Sequence, residues 1–278
     1  MTPATTLECE GRIALVTGAS RGIGAAIAER LASAGAQVGI CARSLDRSPE
    51  GMRGTLEECA GRIEARGGRA RAFVADIAKA EDRERLMTEC ERDLGPVDIL
   101  VNNAAFGPYR PSTEFSARTF ALTLEVNVRA AMHLSSLALP GMCERGRGWI
   151  VNISSATAKH PQGPPYNDWE RVGGHHLYAA SKAALDRIST GMAAEFHHRG
   201  VAINALAPVA AVITPGVEAL GIGAFIDDSM VEPVEAMAEA ALLLAHCDPQ
   251  ALTGRVHYSL ELLEEFERTP RNLDGSPR

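Results

Sequence analysis

The stretch IALVTGASRGIG, residues 13–24, decides the fold of this 278-residue chain. Its apolar start predicts a buried strand, and its glycines form a turn that opens a helix over Gly22–Ser33. Gly18 permits a tight turn, Gly22 permits close approach of the backbone to a pyrophosphate, and Gly24 permits close helix–strand packing. The helix start adds backbone N–H groups and the positive end of a helix dipole. The stretch therefore predicts a strand–turn–helix unit that binds a dinucleotide.

Short β-branched runs alternate with helical stretches along the rest of the chain, which is the pattern of repeated strand–helix–strand units. Thr55 and Glu58 form a capping box that opens a further helix, which should end at Gly67–Gly68. We therefore expect an α/β, Rossmann-type doubly wound, seven-stranded parallel sheet with helices on both faces, in one domain over residues 1–268. The polar tail, residues 269–278, is expected to be disordered. The predicted strands are Ile13–Val16, Gln37–Cys41, Ala70–Val74, Val97–Val101, Trp149–Ile153, Val201–Leu206 and Gly254–Tyr258.

Composition argues against several partners. The formal net charge of −7 disfavours nucleic acid, which needs clustered Lys and Arg to neutralise phosphates. The stretch Val201–Ile226 carries little charge, but its Pro and Gly residues break regular helix, so a buried strand and an apolar loop explain it better than a membrane span. The six cysteines form no CxxC pair and the N-terminus lacks an apolar signal core, which indicates a reduced, cytoplasmic protein.

Two pairs of neighbouring histidines, His175–His176 and His197–His198, attract attention as candidate ligands. Adjacent residues do not share a helix face, and neither pair matches HExxH or Cys/His metal spacing. No metal is expected, and surface imidazoles are the favoured interpretation, although His175 and His176 lie just before Tyr178.

Further motifs follow the glycine turn in a fixed order: Asp76, NNAA at 102–105, Asn127, VNISS at 151–155 and YAASK at 178–182. With the TGxxxGxG spacing, they resemble the short-chain dehydrogenase/reductase family over roughly residues 10 to 260. The resemblance implies NAD(P), hydride transfer between a nicotinamide and a small-molecule carbonyl or alcohol, and a homotetramer or homodimer.

Tyr178 and Lys182 are four residues apart on a predicted helix and therefore share one face. A fixed ammonium and the charge of the oxidised nicotinamide should bring the phenol into working range, so Tyr178 is the predicted proton donor in reduction and acceptor in oxidation. The resemblance implies that Lys182 also holds the nicotinamide ribose, that Ser155 rather than its neighbour Ser154 holds the carbonyl oxygen, and that Asn127 shapes a helix and holds a water. A helix-interior Asn satisfied by backbone is the alternative for Asn127.

Cofactor choice depends on the end of the second predicted strand. NAD sites commonly place Asp or Glu there, whereas this chain has Ala42 followed by Arg43. With Arg21 in the glycine loop, Arg43 could bind a 2′-phosphate, which predicts NADP(H); the alternative is two solvated surface charges. The predicted cofactor contacts are Gly18, Ser20, Arg21, Gly22, Ile23, Gly24, Arg43, Asp76, Ile77, Asn103, Ala104, Tyr178, Lys182, Pro208, Ile213 and Thr214.

Two features near the sixth predicted strand depart from the family pattern. Pro208-Val209 replaces the usual Pro-Gly, and Thr214 lies one residue further along than is common, so contacts there are the least determined. The apolar loop Val209–Ile226 favours a hydrophobic substrate. The Pro- and Gly-rich segment Lys159–His176 is expected to be a loop, rather than helix or strand, that covers the substrate pocket; a peripheral or oligomer-contact loop is the alternative.

The sequence favours an NADP-dependent oxidoreductase over three alternatives. A non-catalytic NADP-binding scaffold or sensor would need the glycine loop but not Tyr178. An NAD-dependent alcohol dehydrogenase would use the same site in the oxidising direction. A sugar epimerase or dehydratase with this cofactor fold would have a larger sugar-binding portion, for which this chain is too short.

Overall fold

A computed structural model describes residues 7–48, 52–221 and 231–278 of the chain. Its seven strands are parallel and form one sheet, as the sequence predicts. Predicted and observed strand boundaries agree within two residues. The strands β1 to β7 are Ile13–Thr17, Gln37–Ala42, Arg69–Val74, Ile99–Asn102, Gly148–Ile153, Val201–Ala207 and Val256–Tyr258.

Helices separate the strands and pack on both faces of the sheet. The capping box of Thr55 and Glu58 is present at the start of the second helix, with both reciprocal hydrogen bonds formed. A π-helical turn, Glu125–Arg129, joins the fourth helix to the fifth. The helices α1 to α10 are Gly22–Ser33, Leu56–Ala65, Ala80–Leu94, Ala117–Leu124, Ala130–Arg145, Asp168–Val172, His176–Phe196, Pro215–Ala219, Val234–Leu244 and Ser259–Glu265.

The order of the strands indicates where a ligand-binding crevice lies at the edge of the sheet. The sheet runs β3-β2-β1-β4-β5-β6-β7, so the chain reverses direction across the sheet between β1 and β4. In open α/β sheets, ligands bind outside the carboxyl ends of the strands at such a point. One buried apolar cluster joins the sheet to α1, α2, α9 and α10, and a second joins it to α3, α5 and α7. The crevice therefore lies between two packed helical layers.

The C-terminal tail differs from its expected disorder. Leu273 packs against the apolar cluster of α1 and α9, and Asn272 donates hydrogen bonds to Ser276 Oγ and the Pro277 carbonyl at 3.0 Å each. Arg278 lies 3.6 Å from Glu235. The tail is ordered because one leucine and several turn hydrogen bonds anchor a segment whose polar composition alone suggests disorder.

The expected loop Val209–Ile226 also contains more structure than its breakers suggest. Helix α8 begins after Thr214, whose side chain accepts a hydrogen bond from Val217 N, and Pro215 occupies the first turn, where a missing N–H costs nothing. Residues 222–226 of this expected loop lie outside the described residues. Among the described residues, no helix is long and apolar enough to cross a membrane.

Candidate active site

The glycine turn is closely packed against the end of β4. Gly18 and Gly22 adopt φ of 66° and 56°, a region that favours glycine. A Cβ added to Gly18 would lie 2.7 Å from Ala104 Cα, and one added to Gly24 would overlap Asn103 Nδ2. Because Gly18 and Gly24 have no side chains, the glycine turn packs directly against Asn103 and Ala104. Four of the predicted cofactor contacts therefore lie together. Gly24 lets the start of α1 pack against the glycine turn and against the residue that follows β4.

Thr17 holds the same junction and was not predicted as a site residue. Its buried Oγ1 accepts hydrogen bonds from the backbone N–H groups of Asn103 and Ala104 at 3.0 and 3.2 Å. In return, Asn103 Nδ2 donates to the Thr17 and Gly18 carbonyls at 2.9 and 3.1 Å. The threonine that precedes the first glycine in TGxxxGxG was the available signal.

Two arginines meet at the outer edge of the glycine turn. Burial, and after it the positive charge of Arg43, lowers the pKa of Arg21. Arg21 Nε donates to Ser20 Oγ at 3.4 Å. A Cβ added to Gly54 would lie 2.8 Å from Arg21 Cβ, so the segment after β2 folds back onto the turn. Arg21 and Arg43 are therefore near enough for the charge of one to act on the other at the outer edge of the glycine turn.

The remaining predicted contacts lie along the same sheet edge. Asp76 N–H donates to the Asp82 carboxylate at 2.7 Å, and Asp76 Oδ1 accepts from Ala78 N. Ile77 is buried at the end of the segment after β3. On the other side, a Cβ added to Gly22 would lie 3.1 Å from Thr214 Cγ2, which brings Thr214 to the glycine turn.

Pro208 and Ile213 border a loop that is anchored by hydrogen bonds to Glu232. Glu232 was not identified as a site residue from the sequence. Ile213 is exposed, and Pro208 is half-buried. The buried Glu232 carboxylate accepts hydrogen bonds from Val209 N at 2.8 Å and from Ser259 Oγ at 2.6 Å. This anchor fixes the loop despite the Pro-Val sequence. No pattern in the chain distinguishes Glu232 from other glutamates.

Tyr178, Ser155 and Lys182 converge where β5 ends against α7. The Ser155 hydroxyl lies beside the Tyr178 phenol. Burial raises the pKa of Tyr178 to about 12, and the neighbouring Ser155 offsets part of the increase. Lys182 Nζ is 5.6 Å from the Tyr178 ring centroid and donates to the Ile153 carbonyl at 2.7 Å. The arrangement places two hydroxyls side by side with a buried cation behind them.

The structure corrects the expected charge balance around the phenol. Burial raises the pKa of Tyr178 in the free protein, whereas the predicted lowering also requires the charge of the oxidised nicotinamide. Burial also lowers the pKa of Lys182 to about 8, although the Asp186 carboxylate opposes this shift. A phenol with a raised pKa stays protonated at neutral pH, which suits a proton donor.

Asn127 lies in the π-helical turn and joins the loop after β4 to α7. Its Oδ1 accepts from Phe106 N and its Nδ2 donates to the Phe106 carbonyl, both at 2.8 Å. Nδ2 also donates to Ser181 Oγ at 2.9 Å, and Ser181 Oγ donates to the Tyr178 carbonyl at 2.6 Å. These contacts shape the helix that carries Tyr178, and they also satisfy the amide with backbone groups.

The neighbouring serines face different surroundings. Ser154 is 3% exposed and lies beside the Asp186 carboxyl, whose pKa is raised by burial and partly restored by Ser154 and Lys182. Ser155 instead starts a short 3-10 turn, accepts from Thr157 N at 3.2 Å and reaches Tyr178. The geometry favours Ser155 as the hydroxyl next to the phenol.

The segment Lys159–His176 contains a helix that the sequence did not predict. Asn167 caps α6 by accepting from Glu170 N at 2.9 Å, a local signal that the surrounding Pro and Gly residues obscured. His175 was expected on the surface but is 3% exposed. Its ring stacks on Trp169 with a centroid distance of 4.5 Å. Both ends of the segment therefore lie near the Tyr178 helix.

Tyr109 completes the surroundings of Tyr178 and was missed in the sequence. Its ring centroid is 5.8 Å from that of Tyr178 and 5.8 Å from that of Trp169. Burial raises the pKa of Tyr109, and the neighbouring Tyr178 adds to the effect. Seven residues after Asn102, it follows NNAA without any motif of its own.

The described residues fit a dinucleotide cofactor, because Gly18, Gly22 and Gly24 keep clear a cradle that a Cβ would fill. A metal site has no such support: within 7–48, 52–221 and 231–278, no three His, Cys, Asp or Glu side chains are grouped as metal ligands. The other histidine pair, His197 and His198, forms a 3-10 turn after α7.

Comparison with known proteins gives consistent similarities. A family model described as short chain dehydrogenase matches residues 12–221. A tropinone reductase homolog of Arabidopsis thaliana is 34% identical over 200 residues, which cover 72% of this chain and 68% of the relative. Gluconate 5-dehydrogenase of Gluconobacter oxydans is 36% identical over 201 residues, covering 71% and 70%. The crystal structure of a 3-oxoacyl (acyl-carrier-protein) reductase from Agrobacterium tumefaciens with NADP bound has a TM-score of 0.77 and 31% identity, covering 93% of this chain and 96% of that chain.

Proposed function

Because the chain belongs to the short-chain dehydrogenase/reductase family, we propose that it is an NADP-dependent oxidoreductase acting on a small-molecule carbonyl/alcohol pair. The observation that carries the proposal is the placement of Ser155 beside the Tyr178 phenol, with Lys182 buried behind them. A pure NADP-binding scaffold would need the glycine cradle but not this pair.

Each residue of the site has a distinct proposed task. Nicotinamide supplies the hydride when bound. Ser155 and Tyr178 hold the carbonyl oxygen, and the Tyr178 phenol, which stays protonated at neutral pH, donates its proton to the oxygen that becomes an alcohol. Lys182 keeps hydrogen-bonding capacity beyond its bond to the Ile153 carbonyl and would hold the nicotinamide ribose. Asn127 fixes the Tyr178 helix against the loop after β4.

Cofactor preference for NADP rests on the two arginines. The positive charge of Arg43 lowers the pKa of Arg21, and a 2′-phosphate bound by both would relieve their repulsion through charge-assisted hydrogen bonds. Ala42 places no carboxylate there to repel it. The NADP-bound Agrobacterium reductase, 31% identical, supports the same preference. The remaining predicted contacts would bind the cofactor along the sheet edge.

The segment Lys159–His176 is proposed to cover the substrate pocket. Its first residue, Lys159, places Nζ 3.7 Å from the Tyr258 ring centroid at the end of β7, and its last part reaches Tyr109 through Trp169. These two contacts support a segment that covers the pocket from Tyr258 on one side to Tyr109 on the other. The apolar and aromatic character of this region supports a hydrophobic substrate.

Assembly and compartment are proposals of the same kind. The exposed side chains of Phe120 and Met132, on α4 and α5, support a homodimer or homotetramer in which a second copy covers them. The six free cysteines, four of them buried, support a reducing compartment such as the cytoplasm.

The experiment is a panel of ketones and aldehydes incubated with NADPH deuterated at nicotinamide C4. We expect deuterium on the carbinol carbon of at least one product, and slower or no transfer from deuterated NADH. NADPH binding without transfer to any carbonyl, and without oxidation of the matching alcohols by NADP⁺, would contradict the proposal in favour of a scaffold.

A further inference from the structure

Three side chains beside Tyr178 form a continuous surface, here named the aromatic wall: Tyr109, Trp169 and His175. Tyr109 contacts both Tyr178 and Trp169 at centroid distances of 5.8 Å. Trp169 and His175 are stacked at 4.5 Å with an interplanar angle of 10°. Tyr109 also lies 6.1 Å from His175. The wall thus starts at the phenol proposed to give the proton and extends away from it.

Main-chain packing fixes the position of the wall. Arg110 N donates to the Gly174 carbonyl at 2.8 Å, which joins the loop after β4 to the end of the covering segment. Gly174 has a φ of 65°, and a Cβ there would lie 2.7 Å from Arg110 N. A Cβ added to Gly107 would overlap the Tyr178 ring. These two glycines let the two loops meet closely enough for their aromatic side chains to touch.

The wall presents neutral rings. Burial raises the pKa of Tyr109, so its phenol stays uncharged. Burial also lowers the pKa of His175, although Glu170, whose Oε2 is 3.4 Å from His175 Nε2, opposes this shift. The carboxylate of Glu170 adds negative charge close to the wall. An anionic sugar acid would meet repulsion there, whereas a planar uncharged ring would meet flat π surfaces.

We propose that the aromatic wall selects planar cyclic or aryl ketones over acyclic ketones, and that Tyr109 is a specificity-determining residue. The inference rests on the proposed function and names its substrate class. Tyr109 is central because it bridges the proton donor and the covering segment.

The test compares two ketones of equal carbon number, planar 1-tetralone and linear 2-decanone, with NADPH as reductant. The wild type should favour 1-tetralone in kcat/KM. Tyr109→Leu and Trp169→Leu should each reduce the ratio of the two kcat/KM values by about threefold to tenfold, mainly through KM for 1-tetralone, since one aromatic contact is lost. Tyr109→Phe should keep the ratio. Because the ratio is measured within one variant, loss of folded enzyme cancels.

Phe266→Leu is the control, because Phe266 is an aromatic residue at the end of α10, is 45% exposed and lies outside both the wall and the segment Lys159–His176. It should leave the ratio unchanged. A wild type that favours 2-decanone, or equal ratios in wild type, Tyr109→Leu and Trp169→Leu, would overturn the inference. Calorimetric binding of both ketones to the NADPH-loaded protein separates the two proposals. If 1-tetralone binds selectively, and Tyr109→Leu weakens that binding, but no ketone is reduced, the proposed function fails and the wall stands.

Discussion

The cofactor end and the substrate end of this active site are built differently. At the cofactor end, Thr17, Gly18, Gly24 and Asn103 form a junction through main-chain groups and missing side chains. At the substrate end, large side chains from separate loops meet around Tyr178. The first construction tolerates few changes and, in the proposed function, would bind the part that all dinucleotides share. The second can vary without disturbing the first, which is how one fold can serve many substrates.

Removing the Ser155 hydroxyl should impair turnover without affecting cofactor binding, and its effect on kcat should be the largest of the three tests that follow. Ser155→Ala should lower kcat by about 100-fold to 1000-fold, because one donor to the developing oxyanion is lost. Its dissociation constant for NADPH should stay unchanged. Ser154→Ala is the matched control and should lower kcat by less than about tenfold, since Ser154 faces Asp186. A larger loss in Ser154→Ala would show that the two serines have been assigned in the wrong order.

Removing one arginine should break the cofactor end alone. Arg43→Ala should raise the dissociation constant of NADPH by about tenfold to 100-fold, while leaving NADH nearly unaffected, because one charge-assisted contact with the 2′-phosphate is lost. Arg47→Ala, an exposed arginine four residues later, is the control and should change neither. Ala42→Asp should weaken NADPH binding more than Arg43→Ala does, because the new carboxylate would repel the 2′-phosphate. Equal losses for both cofactors in Arg43→Ala would count against a 2′-phosphate site.

Lys182 is proposed to contact the nicotinamide ribose and also lies behind Tyr178. A change of pH that removes its charge should therefore affect both cofactor binding and turnover. Its pKa of about 8 means that the ammonium is present below pH 8 and is lost as the pH rises above it. We expect kcat/KM for NADPH, which reports groups of the free enzyme, to be level from pH 6 to 8 and then to fall by up to about tenfold per unit. Asp186→Asn should move the break to lower pH, because Asp186 raises the pKa of Lys182. A break above pH 10 in both proteins would contradict this origin.

The cofactor end could be predicted from the sequence because its parts are local. Residues 13–24 contain the strand, the turn and the helix start, and the strand alternation that follows determines the sheet. The seven parallel strands and the family assignment are confirmed. Thr17 was missed although it stands in the TGxxxGxG motif, because its hydroxyl bonds to the residues that follow β4, a contact that depends on the strand order.

The substrate end could not be predicted in the same way. Tyr109 and Trp169 are far apart in the chain, and no periodicity indicates that their rings touch. His175 was assigned to the surface because the fold that buries it was not known. The helix α6 was hidden among prolines and glycines, and the raised pKa of Tyr178 depends on burial that only the packed structure provides. The assigned roles of Asn127, Ser155, Tyr178 and Lys182 remain predictions.

The most direct test of the central claim is to measure turnover and NADPH binding in Tyr178→Phe. The change removes one hydroxyl, keeps the ring that packs near Tyr109, and leaves the glycine cradle untouched. We predict that kcat for the best ketone falls by at least about 100-fold to 10,000-fold, because the general acid is lost, while the dissociation constant of NADPH stays within about twofold of wild type. Turnover near the wild-type rate would contradict the assignment of Tyr178 as proton donor. A parallel loss of NADPH binding would contradict the separation of the two ends.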